Sequence, residues 1–148
     1  MNNDYFNHEK SAAGCVFLSA TTDRVLLNLR ASYKSHNLTW GFWGGMLENS
    51  ETPKECLLRE LTEEMGYVPQ IDKMYPFDIY HSSDNKFVYY SFVCVVRDEF
   101  IPILNQESGG YGWFNLTSLP VPLHSGTKKT LTGKKSLTKL NLILDQHR

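Results

Sequence analysis

The chain has 148 residues, with 15 Lys plus Arg against 16 Asp plus Glu, a formal net charge of −1, and 41% hydrophobic, 21% charged and 13% aromatic residues. That length suits a single domain over residues 1–148, and a chain of this size buries about 68–70% of its unfolded surface. The apolar fraction excludes a disordered chain, no run approaches the ~18–20 apolar residues of a membrane span, and near-neutral charge disfavours nucleic acid as a partner.

Cys15, Cys56 and Cys94 are far apart and show no C-x-x-C spacing. A disulfide framework or thiolate zinc site is therefore not expected, and a reducing, cytoplasmic location is. The leader Met1-Asn2-Asn3-Asp4-Tyr5 lacks the basic and apolar regions of a secretory signal. Oligomeric state is not legible.

In chain order, Ala12 to Ala20 is small and apolar, Thr21-Thr22-Asp23 reads as a turn, and Val25 to Leu29 as the returning strand of a hairpin. Ala31 to Leu38 is polar and loop-like. In Trp40-Gly41-Phe42-Trp43-Gly44-Gly45 the glycines permit backbone shapes other residues avoid. A helix follows: Thr52 is its N-cap, Pro53 suits the first helical position, Glu55 completes a capping box, and Gly66 stops it. Ile71 to Tyr80 and Phe87 to Val96 read as strands, the second apolar enough for burial on both faces. Ile101 to Gly112 reads as a loop, Trp113-Phe114 as a short strand, and Leu119 to Pro122 as an irregular corner. Leu137, Leu140, Ile143 and Leu144 have helical spacing. Strands with two amphipathic helices, in no regular alternation, predict an α/β fold: an α/β/α sandwich over a mixed β-sheet.

At about 100° per residue, Leu57, Leu58, Leu61 and Met65 fall in one arc of the first helix and Glu60, Glu63 and Glu64 in an adjacent one. Like charges three and four residues apart destabilise a helix by about 0.2–0.5 kcal/mol per pair, and no lysine stands among them. A run of glutamates alone reads as a solvated face. A hard divalent cation would also neutralise the arc, since Mg²⁺ binds carboxylates together with substrate phosphates. Glu51 can lean over the same site, Gly44-Gly45 can offer a backbone carbonyl, and Arg59 can pair with Glu51 or Glu55.

The segment GMLENSETPKECLLRELTEEMGY, Gly45 to Tyr67, fits the box G-x5-E-x7-R-E-U-x-E-E-x-G-U, in which U is a bulky apolar residue. Gly45, Glu51, Arg59, Glu60, Leu61, Glu63, Glu64 and Gly66 hold its fixed positions, with Tyr67 at the last U, where an aliphatic residue is commoner. The chain thus resembles the Nudix hydrolases. The resemblance implies a Nudix-type sandwich, Mg²⁺ or Mn²⁺ as cofactor, a small nucleotide as substrate, and attack of water on a diphosphate linkage. It also implies Glu60, Glu63 and Glu64 as principal metal ligands and catalytic residues, with the Gly45 carbonyl as a further ligand. Arg59 and Glu51 take supporting roles. Trp43 stands where many members have Pro; it either packs or shapes the substrate side of the turn with Gly44.

In mutator-type nucleoside triphosphate pyrophosphohydrolases of this family, a loop Glu lies six residues before a strand Trp, as Glu107 lies before Trp113. Two roles are open to Glu107, proton acceptor from the attacking water or additional metal ligand, beside the plain reading of an exposed loop residue. Rivals for the base are Glu64, Asp98 and Glu99. Arg30 either contacts substrate phosphate or makes a surface salt bridge.

Cys56 is read as packing, His36, His81 and His124 as surface residues, and Lys128, Lys129, Lys134, Lys135 and Lys139 chiefly as the solvated face of the last helix, with attraction of a polyanionic substrate as the other reading. Tyr75, Tyr80, Tyr89 and Tyr90 are read chiefly as packing residues. The family's ADP-ribose, diadenosine polyphosphate and NADH markers are absent, and the Glu before Trp leans toward nucleoside triphosphates. A nucleotide sensor without turnover is the alternative, which the intact glutamate set disfavours; action on an RNA 5′ end is a third.

Overall fold

The centre of the fold is β1 (Lys10–Ser19), whose residues Ala12–Ser19 are all buried. The computed structural model describes residues 10–34 and 37–148. The leader Met1 to Tyr5 and His36 lie outside the described residues.

β1 pairs antiparallel with β2 (Arg24–Arg30), through the expected hairpin, and parallel with β6 (Phe87–Val96) along its full length. Two short strands, β3 (Trp40–Gly41) and β4 (Trp43–Met46), pair antiparallel with β2 and β1 respectively. After α1 (Pro53–Met65), β5 (Lys73–His81) pairs antiparallel with β6, and β7 (Ser108–Asn115) pairs antiparallel with β2. The helices α2 (Ser125–Thr132) and α3 (Lys134–Gln146) complete the chain. Among the described residues this is a seven-stranded mixed sheet, in the order β3-β2-β1-β6-β5 with β4 and β7 joined to β1 and β2.

Strand alternation divides the core into two layers. On one face Ala13, Cys15 and Phe17 pack with Trp43, Leu57, Leu61 and Met65 under α1. On the other, Val16 and Leu18 pack with Leu131, Leu140, Ile143 and Leu144 of α2 and α3. The predicted α/β/α sandwich is the observed architecture. The end of β6, from Val93 to Val96, is buried on both faces because it serves both layers.

The structure corrects four expectations. Trp40–Gly41 and Trp43–Met46 are short strands either side of Phe42 rather than a glycine turn, because β2 and β1 supply their hydrogen-bonding partners. β7 starts at Ser108 rather than Trp113; its glycines have little strand preference, and the partner β2 imposes the conformation. α2 buries Thr127 and Leu131, one turn apart, and its polar sequence leaves no apolar stripe to detect. Leu58, assigned to the core stripe, is exposed, whereas Cys56 and Glu64 are buried on the inner face of α1.

No described helix is long and apolar enough to cross a membrane. All three cysteines are free and buried.

Candidate active site

The site begins at the start of α1. The Thr52 hydroxyl accepts from the Glu55 N–H at 3.1 Å, and the Glu55 carboxylate accepts from the Thr52 N–H at 3.0 Å, closing the capping box. Such a cap is worth about 1 kcal/mol. It also commits Glu55, so Arg59 turns to Glu51 instead.

That second contact is bidentate: Arg59 Nε donates to Glu51 Oε2 at 2.6 Å and Nη2 to Oε1 at 2.9 Å. The guanidinium holds the Glu51 carboxyl down at about 2, helped by the Glu48 N–H, which donates to Glu51 at 2.8 Å. Arg59 further donates to Glu60 at 3.0 Å, to Glu63 at 3.3 Å and to the Met46 carbonyl at 2.9 Å. Its own pKa rises accordingly, chiefly through Glu51. Two carboxylates of the arc, Glu60 and Glu63, are thus partnered from within by one arginine that also ties α1 to β4.

Glu64 is 5% exposed, and its Oε1 accepts from the Gly44 N–H at 2.9 Å. Burial, and then the nearby charges of Glu60 and Glu107, push its carboxyl up to about 8 against that hydrogen bond. Glu60 is raised in the same direction, first by burial and then, against Arg59, by Glu63 and Glu107. Glu60 lies against the backbone of β4: a Cβ at Gly45 would stand 2.4 Å from its Cδ. Gly44 takes φ +143°, and a Cβ there would stand 2.0 Å from the Ala13 carbonyl oxygen, so backbone close approach requires glycine at 44, whereas at 45 the clash falls on the movable end of Glu60.

Glu60, Glu63, Glu64, Gly44, Gly45, Arg30 and Glu107 all line one cleft of about 1630 Å³. Glu107 enters it at a bulge, where Gly109 is the extra residue between the pairs Leu29–Gly110 and Arg30–Ser108. The Glu107 carbonyl accepts from the Ala31 N–H, and its carboxylate stands 3.4 Å from Lys34. Of the rival bases, Glu99 is held by Arg24 at 2.6 Å and by the Thr22 hydroxyl at 2.6 Å, and neither it nor Asp98 lines the cleft.

Trp43 is fully buried, its indole N–H donating to the Leu26 carbonyl; it packs and does not face the cleft. Cys56 also packs, its thiol pushed up to about 11 chiefly by burial. His124 is not a plain surface residue: it caps α2, accepting from the Gly126 N–H, and lines the cleft. Lys128, Lys129, Lys135 and Lys139 line it too, instead of only solvating an outer face; Lys139 donates to the Phe77 carbonyl at 2.8 Å. Sequence reasoning missed Asn28, Lys34 and Phe42 as cleft residues. The polar Asn28 inside the apolar run of β2 was the one available signal.

Oxygen donors fit a hard cation such as Mg²⁺ or Mn²⁺: the cluster offers carboxylates, two of them raised first by burial and then by their neighbours' charge, with β4 backbone alongside. Among the described residues no three such side chains already stand as a ready ligand group, since Arg59 engages Glu60 and Glu63.

A family model for the NUDIX domain matches residues 8–133. An 8-oxo-dGTP diphosphatase of Proteus vulgaris is 63% identical over 27 residues, which are 18% of this chain and only 24% of that protein's length. The fold is similar to a MutT NUDIX hydrolase from Burkholderia pseudomallei, at TM-score 0.65 and 22% identity over 82% of this chain and 95% of that one. It is also similar to the Nudix hydrolase RenU of M. smegmatis, at TM-score 0.70 and 18% identity over 92% and 86% of the two chains. With most of its length under the family model, the chain belongs to the Nudix hydrolase family.

Proposed function

We propose that this protein hydrolyses a diphosphate linkage in a small nucleotide, most simply a nucleoside triphosphate, with Mg²⁺ or Mn²⁺ as cofactor. The reading rests on one observation: Glu60, Glu63, Glu64 and Glu107 open on a single cleft. Glu60, Glu63 and Glu64, with the Gly45 carbonyl, would hold the cation. When bound, it neutralises the phosphate oxygens and eases departure of the leaving phosphate.

The remaining steps belong to the chain. Arg59 and Glu51 fix the ligand helix against β4, and the Gly44 N–H orients Glu64. Arg30 lines the cleft and meets phosphate. A water oxygen forms a bond to phosphorus, the bridging P–O bond breaks, and the proton released by water passes to Glu107. The curated 8-oxo-dGTP diphosphatase relative supports a nucleoside triphosphate as substrate. Three free, buried cysteines favour action in the cytoplasm.

The test is a hydrolysis panel with Mg²⁺ and Mn²⁺ over nucleoside triphosphates, 8-oxo-dGTP, ADP-ribose, NADH, dinucleoside polyphosphates and nucleotide sugars. Products are resolved by mass, with Glu63→Gln beside wild type. Metal-dependent cleavage lost in the variant is expected. Tight nucleotide binding without cleavage of any compound would overturn the enzyme in favour of a sensor.

A further inference from the structure

Asn28 has no place in the chemistry above, and it is built unusually. It is 5% exposed, lines the cleft from β2, and its Oδ1 has no hydrogen-bond partner among the described residues. A buried acceptor without a donor is rare in folded chains and calls for a group that supplies one.

The surroundings indicate which group. Asn28 is in register with Gly41 on β3, so the two share a face, and Gly41 contributes no side chain there. A Cβ at Gly41 would stand 3.4 Å from the Thr127 Oγ1, in ordinary contact, so the glycine leaves about a methyl group's room between β3 and the start of α2. Phe42 and Tyr89 line the same cleft with their rings stacked, 6.3 Å apart and 12° from parallel. Arg30 lies two residues along β2, on the face Asn28 shares by alternation. A flat aromatic wall, an orphan acceptor and a cation that suits phosphate describe a nucleotide's base and its phosphates in turn.

We propose that Asn28 is a specificity-determining residue whose Oδ1 accepts a hydrogen bond from an amino or ring N–H group of the substrate's nucleobase. This rests on the nucleotide reading of the cleft and adds to it which part of the nucleotide is read. A site built around such a bond rejects an analogue that lacks the donor far more strongly than a merely apolar pocket does.

The experiment is calorimetric titration, with Mg²⁺, of the Glu63→Gln protein and of Glu63→Gln combined with Asn28→Leu. The titrants are adenosine, guanosine, cytidine and uridine triphosphates, beside purine riboside triphosphate, whose base carries no N–H. At least one natural nucleotide should bind roughly 10- to 100-fold tighter than the purine riboside analogue, and Asn28→Leu should erase that difference while leaving the analogue's affinity unchanged. Because no protein partner of Oδ1 is lost, the melting temperature of the ligand-free protein should hold or rise; Asn28→Ala gives the same reading should Leu not fit. Equal weakening across the panel, no change, no binding of any nucleotide, or a lower ligand-free melting temperature in both variants would overturn the inference. Wild-type turnover with Asn28-independent binding overturns this inference alone. Asn28-dependent binding without any turnover sinks the hydrolase reading and leaves this one standing.

Discussion

The carboxylate of Glu60 rests on the backbone of Gly45, so closely that a Cβ at position 45 would stand 2.4 Å from Cδ and about as near both oxygens. The obstructing atoms end a flexible side chain, so Gly45→Ala is expected to fold with little loss of stability. Its cost falls on the site, because Glu60 must swing away from β4. We expect turnover to drop about 10- to 100-fold, the range seen when support for a ligand is disturbed. Thermal melting beside steady-state kinetics checks this; full activity would mean that Glu60 does not act from this position.

The neighbouring glycine behaves oppositely. At Gly44, φ is +143° and a Cβ would lie 2.0 Å from the Ala13 carbonyl oxygen, which is backbone of the central strand and cannot yield. Gly44→Ala is therefore expected to destabilise the fold by about 2–4 kcal/mol or abolish folding. Chemical denaturation measures it. A variant as stable as wild type would show that β1 and β4 can separate without penalty.

These two glycines show what the sequence makes legible. The spacing from Gly45 to Gly66 exposes the carboxylate helix, its cap and its stop, because helical periodicity and capping chemistry are local. What Arg59 does is less local: it reaches the Met46 carbonyl and Glu51 as well as its helical neighbours, so its role as a partner of the cluster depends on how β4 meets α1. β7 and α2 were illegible over Ser108–Gly112 and Ser125–Thr132 for the same reason: Gly-rich and polar stretches adopt the conformation their partners impose. Asn28 could be seen as an odd polar residue in a strand, but its orphaned oxygen only appears once Gly41 lies beside it.

Arg59 joins Glu51 by two parallel hydrogen bonds, a geometry that a lysine ammonium cannot reproduce. Arg59→Lys should retain the charge yet loosen α1 from β4, lowering turnover about 10- to 100-fold. Because the guanidinium holds Glu51 at about 2, the pair supports stability above the ordinary carboxylate range, and that support is lost as pH falls from there through about 2. Acid unfolding of Arg59→Lys should therefore begin at higher pH than that of wild type. Coincident acid transitions would show that the ion pair does not stabilise the fold.

Glu64 gives a pH dependence of the opposite sign. Its folded pKa, about 8, lies above the ordinary value of 4.5, so between those values the folded chain binds a proton that the unfolded chain does not. Stability from this group is thus full below pH 4.5 and lost as pH rises through about 8. Melting of the metal-free protein should fall with pH across that window, and Glu64→Gln should flatten the dependence. Adding Mg²⁺ or Mn²⁺ should raise melting most at the alkaline end and release protons, measurable as buffer-dependent heats of binding. Identical pH slopes for wild type and Glu64→Gln would contradict the assignment.

Glu107 is the carboxylate whose role is most sharply tested by kinetics, because it sits apart from α1 yet its charge reaches both Glu60 and Glu64. Its backbone is fixed by the Ala31 N–H, at 3.1 Å, while its half-exposed carboxylate stands 3.4 Å from Lys34. A rigid anchor with a solvent-facing head suits a group that takes a proton from water and returns it to solvent. Glu107→Gln keeps shape and hydrogen bonding but cannot accept that proton, so turnover should fall about 10²- to 10⁴-fold, the usual worth of a positioned base. The acidic limb of the rate profile should move with it, while nucleotide affinity holds. If Glu107 instead serves as a metal ligand, the same variant should raise the metal concentration needed for half-maximal rate and recover at saturating Mn²⁺. An unchanged rate and profile would return the base to Glu64, a cleft carboxylate that burial raises to about 8.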